Sequence, residues 1–326
     1  MRALKLVSLL LLVCLVSVAQ AAEAPKPLPF VQGSWTLVLL PDTQNYAKSH
    51  PATFKNQTKW IVDNAASHNI VFAMTEGDIT NDNVSPQWEN AKTAMSTLDG
   101  KVPYAIVTGN HDYRGADLSK RATLANQYFA PELVQKSPFY GGVFEKGKLD
   151  NAYYLFTAGG REWIAVTLEY APRDEVVAWA NKILDQYPKR SAIICTHAYL
   201  FSDNTRFDHK KKKQSKLPGL AKGLNDGEQL WRRLASKHKN VQFVVCGHVM
   251  KNKGVGRLTS TGDAGNTVHQ ILADFQGYPH GGDGYLRLME FLPDGKTVQV
   301  KTYSTLLDKY LTDDRQQFTL DLPPAP

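Results

Sequence analysis

The sequence has few cysteines and, after its first 21 residues, no long apolar run. It contains 3 cysteines in 326 residues, and Cys14 lies in the apolar run near the start. The other two, Cys195 and Cys246, are too few for a disulfide framework, so the fold has to rest on its hydrophobic core. One disulfide between these two cysteines stays open as an alternative to two small core residues. No segment after residue 21 is apolar enough to span a bilayer, and we expect no membrane span in the mature chain.

The first 21 residues have the pattern of a secretory signal peptide. Arg2 and Lys5 precede an apolar run over residues 7–18, and residues 19–21 form a small-x-small cleavage site. A transmembrane anchor is the alternative, but the apolar run is shorter than the ~20 residues that a span needs. We therefore expect cleavage after Ala21 and a secreted or periplasmic protein.

The charge is close to balanced, with a mild positive excess. The formal net charge is +7, and loss of Arg2 and Lys5 with the signal peptide lowers it to +5. This excess is compatible with anionic substrates but indicates no specific nucleic-acid recognition. The lysines at 210–213 are the densest positive segment, and they form either a solvated loop or a surface that attracts phosphorylated or acidic partners.

Short runs rich in β-branched residues alternate with amphipathic segments, which is typical of a sheet covered by helices. The predicted strands cover residues 34–40, 70–74, 104–107, 153–156, 163–168, 192–195, 241–245, 269–273, 285–291, 298–305 and 318–322. The predicted helices cover residues 52–67, 85–98, 176–184 and 230–234. With no internal repeat and no low-complexity linker, we predict one domain over residues 34–322. The proline-rich stretches 22–33 and 323–326 are predicted to be a flexible N-terminal segment and a tail.

Five polar clusters come directly after five of the predicted strands. They are Asp42-Thr43-Gln44, Gly77-Asp78, Gly109-Asn110-His111-Asp112, His197 and Gly247-His248. Because ligands bind at the carboxyl ends of the strands in an open α/β sheet, these side chains should converge. Carboxylates, imidazoles and a side-chain amide suit Mn, Fe, Zn or Mg, and two such ions ~3.5–4 Å apart can clamp a phosphoryl group. The pattern predicts a site for one or two divalent metal ions.

These motifs, in this order, resemble those of the calcineurin-like metallophosphoesterases, over roughly residues 35–305. The resemblance implies an α/β fold, a four-layer α/β/β/α sandwich with mixed sheets. It also implies a hydrolase that acts on a phosphate monoester or diester. By the same resemblance Asp78 bridges two metals, and Asp42 serves one of them. Asn110, His197 and His248 would complete the shell of the other.

The resemblance gives His111 a catalytic role without a metal. It implies that metal-bound hydroxide attacks phosphorus in line while His111 protonates or steadies the leaving oxygen. Asp112 would orient the ring of His111 and raise its basicity. By the same resemblance, the motif ending Asn-His-Asp favours phosphodiesterases and small-molecule phosphatases over protein phosphatases.

Two positions depart from the family pattern, which has Asp-x-His first and Gly-His-x-His last. Here the two imidazoles are replaced by Gln44 and Met250. Gln44 can still bind through its amide oxygen, whereas the thioether of Met250 is a poor ligand for hard ions, so this half of the site favours Mg or Mn. Other polar residues at predicted strand ends either compensate or are solvated loop residues, namely Glu76, Asn81, Asp82, Asp274 and Gln276.

Two alternatives to an enzyme stay open. The same scaffold with one incomplete metal position could bind a phosphorylated ligand without turnover. An adaptor that docks acidic surfaces through lysines 210–213 would associate in a salt-sensitive way. The substrate itself cannot be predicted, because it depends on the shapes of the loops around the site.

Overall fold

The computed structural model describes residues 25–113, 118, 120–134, 137–211 and 223–326. The predicted signal peptide and lysines 212 and 213 lie outside these residues. None of the helices in the described ranges combines the length and the hydropathy that crossing a bilayer requires.

The described chain forms strands that alternate with mostly short helices. The strands are β1 (Trp35–Leu40), β2 (Ile70–Thr75), β3 (Tyr104–Ala105), β4 (Tyr140–Val143), β5 (Ala152–Ala158), β6 (Arg161–Leu168), β7 (Ser191–Thr196), β8 (Val241–Cys246), β9 (Val255–Thr261), β10 (Thr267–Ala273), β11 (Tyr285–Phe291), β12 (Thr297–Ser304), β13 (Lys309–Leu311) and β14 (Phe318–Asp321). The helices are α1 (Gln44–Ser49), α2 (Pro51–Asp63), α3 (Ser85–Met95), α4 (Ala125–Tyr128), α5 (Pro131–Val134), α6 (Asp174–Gln186), α7 (Gly227–Leu230), α8 (Lys251–Gly254) and α9 (Pro279–Gly282). Helical turns also cover Ser96–Leu98, Asn110–Asp112 and Trp231–Ala235.

The strands form two mixed sheets. Sheet A has the order β13-β12-β11-β1-β2-β3, with β14 also paired to β12, and sheet B has the order β4-β5-β6-β7-β8-β10-β9. In sheet A, β1 runs parallel to β2 and antiparallel to β11. In sheet B, β6, β7, β8 and β10 run parallel to their neighbours in this series, and β9 is antiparallel to β10. Sheet A therefore joins the first and last parts of the chain, and sheet B is the middle part.

The core lies on both sides of sheet B, and the cluster on its inner side extends past sheet A to α2 and α3. Along β7, Ile193 and Cys195 belong to a cluster shared with sheet A, while Ala192 and Ile194 belong to a cluster shared with α6. This alternation follows from the two-residue period of a strand. On the far side of sheet A, Trp60 of α2 packs on the ring of Tyr303. The layer order is therefore helix, sheet, sheet, helix, and the predicted four-layer sandwich is confirmed.

Both cysteines of the described chain are free and buried. Cys195 lies in the cluster between the sheets, whereas Cys246 lies in the outer cluster against α6. Because the two side chains leave neighbouring strands on opposite faces, they do not form the disulfide that the sequence left open.

The described ends of the chain contact the sheets. The backbone N–H of Val31 donates to Glu290 Oε1 (2.7 Å), and Lys301 Nζ donates to the carbonyl oxygen of Pro29 (3.0 Å). At the other end, the carbonyl oxygen of Pro323 accepts a hydrogen bond from Arg161 (2.9 Å). The domain bounds at residues 34 and 322, and the flexibility of the segments outside them, stay predictions.

Candidate metal centre

The predicted metal ligands come together at one edge shared by the two sheets. Asp42 and Asp78 follow β1 and β2, and Asn110 lies in the turn after β3, so sheet A supplies these three. His197 directly follows β7, and His248 comes two residues after β8, so sheet B supplies these two. The site is thus built across two sheets, not along the edge of one. We call Asp42, Gln44, Asp78, Asn110, His197 and His248 the candidate centre.

The ring of His197 lies in the middle of the candidate centre. Its Nε2 atom is 3.0 Å from Asn110 Oδ1, 3.3 Å from Asp78 Oδ2 and 3.0 Å from His248 Nδ1. Its Nδ1 atom is 2.8 Å from the carbonyl oxygen of Glu76. Since a carbonyl only accepts, Nδ1 carries a proton. Burial opposes a second proton on the ring, but Asp78 raises the pKa of His197 above its usual value, so Nε2 offers its lone pair to a metal ion when the ion displaces that second proton. A carboxylate, an amide oxygen and imidazole nitrogens therefore converge, and this donor set fits a divalent metal ion.

Burial shapes the protonation of this group. Asp78 and His197 are buried. Burial opposes ionisation of Asp78, but the neighbouring His197 brings the pKa of the carboxyl below its usual value. Burial, reinforced by His197, lowers the pKa of His248 to about 3. The ring of His248 is therefore neutral at ordinary pH, which is the form that binds metals.

Asp42 lies beside these residues on the sheet A side. Both of its carboxylate oxygens accept from the backbone N–H of His248, at 3.2 and 3.0 Å, and its Oδ1 atom is 4.0 Å from Nδ1 of His197. The side chain of Gln44 contacts Gln276, which is in turn 3.4 Å from Asp42 Oδ1. The structure therefore gathers all six predicted residues, and metal binding by them stays a prediction.

The backbone at three of the six residues is strained. Asp42, Asp78 and His248 have φ angles of 25°, 46° and 79°. Residues other than glycine rarely adopt positive φ, and such strain concentrates at functional sites. The strain indicates that these three turns serve to hold their side chains in position.

Three glycines of the motifs make room for the ligands. A Cβ atom at Gly77 would fall on the ring of His197, one at Gly109 would fall on Asp78, and one at Gly247 would fall on Asp42. Each glycine therefore allows a backbone to pass directly against a ligand side chain. This gives a physical reason for the Gly-Asp, Gly-Asn and Gly-His pairs in the sequence.

His111 is half-buried next to the ligands. Its backbone N–H donates to Asp78 Oδ1 (2.8 Å), and its ring Nδ1 lies 2.8 Å from the carbonyl oxygen of Asn81. The prediction that Asp112 orients this ring is wrong. The carboxylate of Asp112 instead accepts from the backbone N–H groups of Ile79, Thr80 and Gly109 and from the hydroxyl of Thr80. Asp112 thus joins the loop after β2 to the loop after β3, and a carbonyl orients His111.

Tyr170 is a neighbour of the centre that sequence reasoning missed. It is buried, and its ring centroid lies 5.7 Å from that of His197 and 5.9 Å from that of His248. It comes two residues after β6, which pairs with β7. Its position just after a parallel strand, which the predicted ligands share, could have identified it from the sequence.

Met250 has 55% of its surface exposed and lines a cavity together with Asp274 and Gly277. That Met250 is not a metal ligand stays a prediction. A second group of metal-binding residue types, Asp208, His209 and Asp226, lies elsewhere in the described chain. Asp226 there caps α7 and accepts from the ring and backbone N–H groups of His209.

Two mixed sheets with carboxylates, an amide and imidazoles at a shared edge define a metallophosphoesterase-type sandwich. The chain belongs to the calcineurin-like phosphoesterase family, whose model matches residues 36–252. It is 34% identical over 310 residues to the uncharacterized protein YvnB of Bacillus subtilis (strain 168). That match covers 91% of this chain and 22% of YvnB, so the chain spans about a fifth of its relative's length.

Two solved structures resemble the chain at low sequence identity. GAP50, the anchor in the inner membrane complex of Plasmodium, is 13% identical, with a TM-score of 0.49 and 89% coverage of both chains. The NAD nucleotidase NadN of Haemophilus influenzae is 12% identical, with a TM-score of 0.45, over 88% of this chain and 50% of that one.

Proposed function

We propose that this chain is an exported hydrolase of phosphate monoesters or diesters that depends on one or two divalent metal ions. The observation that carries the proposal is the convergence of Asp78, Asn110 and His248 on Nε2 of His197, in a member of a phosphoesterase family. These four residues would hold one ion, and Asp42, Asp78 and Gln44 would contribute to a second. Bound ions would polarise the phosphoryl oxygens and lower the pKa of a water molecule.

In this proposal His111 passes a proton to the leaving oxygen. Its Nδ1 atom donates to the carbonyl oxygen of Asn81, so Nε2 is the atom that exchanges a proton with the substrate. Its backbone N–H donates to Asp78, which fixes the histidine beside a metal ligand. The amide of Asn110 supplies a neutral ligand, which limits the negative charge that a phosphate would meet.

The test is hydrolysis of a chromogenic phosphomonoester and phosphodiester by purified protein. We expect activity after Mn²⁺ is added, loss of activity with a chelator, and loss in His197→Ala. His111→Ala should lower kcat by about 10²–10⁴-fold, the usual effect of removing a general acid. His238→Gln is the matched control, because His238 contacts Asn181 and Asp185 of α6, away from the centre.

Activity that is absent, or that survives the chelator, would contradict the proposal. Tight binding of a phosphorylated ligand without turnover, unchanged in His111→Ala, would support the non-catalytic binding protein instead. The exported state is supported by the residue pattern over positions 1–21.

A further inference from the structure

The half of the centre around Asp42 lacks the two family imidazoles, and the structure brings other polar groups there. The chain after β10 returns to Asp42 through residues 274–276. Gln276 Nε2 lies 3.4 Å from Asp42 Oδ1 and 3.1 Å from Asp274 Oδ2, and its Oε1 contacts Gln44 Nε2. One amide group therefore links Asp42, Asp274 and Gln44.

These groups are buried, and within the described ranges the one side chain within 4 Å of their carboxylates that can carry a positive charge is His197, 4.0 Å from Asp42 Oδ1. Asp42 and Asp274 are each 1% exposed, and in the described part of the chain no lysine or arginine lies within 4 Å of either carboxylate. The Oε1 atom of Gln44 is buried and has no hydrogen-bond partner. A buried amide oxygen without a donor is destabilising unless something binds it. The Gln276 amide thus connects two buried carboxylates to a glutamine whose oxygen has no donor, and this donor set suits a cation.

A local turn explains only part of this arrangement. Asp274 Oδ1 accepts from the backbone N–H of Gln276 (3.0 Å), as an aspartate in a tight turn does. The other oxygen, Oδ2, is turned to the Gln276 amide that also contacts Asp42. The turn does not account for the free oxygen of Gln44.

We propose that Asp274 and Gln44 are ligands of the second divalent ion, together with Asp42 and Asp78. They would take the place of the two missing imidazoles, and Gln276 would be a positioning residue that holds Asp42 and Asp274. This set contains only oxygen donors, so it selects a hard ion such as Mg²⁺ or Mn²⁺ over Zn²⁺. The inference deepens the proposed function and rests on it, because Asp78 is shared with the ion at His197.

The experiment counts metal ions and needs no substrate. Metal-free protein is titrated with Mn²⁺, and bound metal is measured by mass spectrometry and by the electron paramagnetic resonance of a coupled Mn pair. We expect two ions and a coupled signal for the unaltered protein. Asp274→Asn and Gln44→Met should weaken the second ion by on the order of 10- to 100-fold or more and remove the coupling, and Gln276→Ala should weaken it to a similar extent.

Matched controls separate this effect from misfolding. Asp150→Asn changes another buried aspartate, which bonds to Asn126 and Tyr113, and it should keep both ions. His248→Ala should weaken the first ion instead. Gln44→Met removes the free Oε1 atom together with the contact between Nε2 and Gln276, but it leaves both carboxylates in place, so it keeps the test decisive even if Asp274→Asn does not fold.

Three outcomes are distinguishable. Loss of the second ion in the Gln44 and Asp274 variants, with the first retained, supports the inference. Wild-type binding of two ions in these variants, or a single ion in the unaltered protein, overturns it and leaves the proposed function standing. If the unaltered protein binds no Mn²⁺ and His197→Ala changes nothing, the proposed function fails as well.

Discussion

At the scale of single residues, the candidate centre requires glycine at certain motif positions as well as the ligand side chains themselves. Gly77 has a φ of 95° and lies against the His197 ring, whereas Gly100 has a φ of 69° with nothing within 4 Å of a Cβ atom. The two positions demand similar backbone freedom, but only one borders the candidate centre. Substitution of Gly100 therefore tests backbone strain alone, whereas substitution of Gly77 tests backbone strain together with collision with the His197 ring.

We predict that Gly77→Ala lowers Mn²⁺ affinity at least about tenfold, because the added methyl group must displace the His197 ring. Gly100→Ala should leave the affinity unchanged and lower the free energy of unfolding by about 1 kcal/mol, the usual result of strain at positive φ. Isothermal titration with Mn²⁺ and urea unfolding measure the two quantities. Equal Mn²⁺ affinity in the two variants would show that metal binding does not depend on the space that Gly77 leaves for the His197 ring.

Residue types at strand ends were enough to predict the candidate centre, but not the contacts of every member. The predicted ligands meet because the parallel strands of each sheet end at the edge that the two sheets share. The role of Asp112 was wrong because it depends on loop conformation: the turns at Asp42 and Asp78 have positive φ, which residue type does not predict. The loop after β2 consequently presents N–H groups to Asp112, and a carbonyl at Asn81 to His111.

At the scale of elements, a buried ion pair fixes the N-terminal segment on sheet A. Lys301 of β12 and Glu290 of β11 are fully buried and lie 2.5 Å apart. Glu290 Oε1 also accepts from Val31 N–H and from the hydroxyl of Ser34, and the Lys301 ammonium lies 4.1 Å from the centroid of the Phe30 ring. The pair is therefore the attachment point between two strands and the chain that leads into β1.

We predict that Lys301→Met lowers the free energy of unfolding by about 3–5 kcal/mol, because it leaves the carboxylate of Glu290 buried without its cation. Lys59→Met is the control, since Lys59 pairs with Asp63 at 2.6 Å on the exposed face of α2. Its effect should stay below about 1 kcal/mol. Urea unfolding of both variants measures the difference, and a similar effect in both would contradict this view of the pair.

The sequence predicted the elements that bury a regular apolar pattern and missed those that do not. The strand at 285–291 was predicted with the bounds that the structure gives β11, and every residue of it is buried. The edge strand β9 was missed because only its first two residues are buried. The strand β4 contains Gly141 and Gly142, and α1 has six residues, too few to show a helical period.

At the scale of the whole molecule, the candidate centre spans the interface between sheet A and sheet B. Ligands from both sheets would share one ion. An ion that binds the folded chain but not the unfolded chain raises the free energy of unfolding by mass action. At Mn²⁺ concentrations ~100-fold above Kd the gain is about 2.7 kcal/mol. We predict that Mn²⁺ raises the Tm of chelator-treated protein, and that His197→Ala removes most of the increase. Thermal unfolding with and without Mn²⁺ checks this, and an unchanged Tm would argue against a metal that bridges the sheets.

Export is also a property of the whole chain. When the full sequence is produced in a bacterial host, we predict that the mature protein appears outside the cytoplasm. Its N-terminal sequence should begin at Ala22, because residues 19–21 form the cleavage site. N-terminal sequencing of the extracytoplasmic fraction tests this. Retention of residues 1–21 in a membrane fraction would favour the anchor.

The start of the described chain meets the residue that directly precedes β14. The backbone N–H of Leu28 donates to Gln317 Oε1 (2.7 Å), and Gln317 Nε2 donates to the carbonyl oxygen of Lys26 (2.9 Å). These two hydrogen bonds tie the first described residues to the chain that leads into β14. A tag or fusion partner attached just before residue 25 would therefore emerge beside this end of β14.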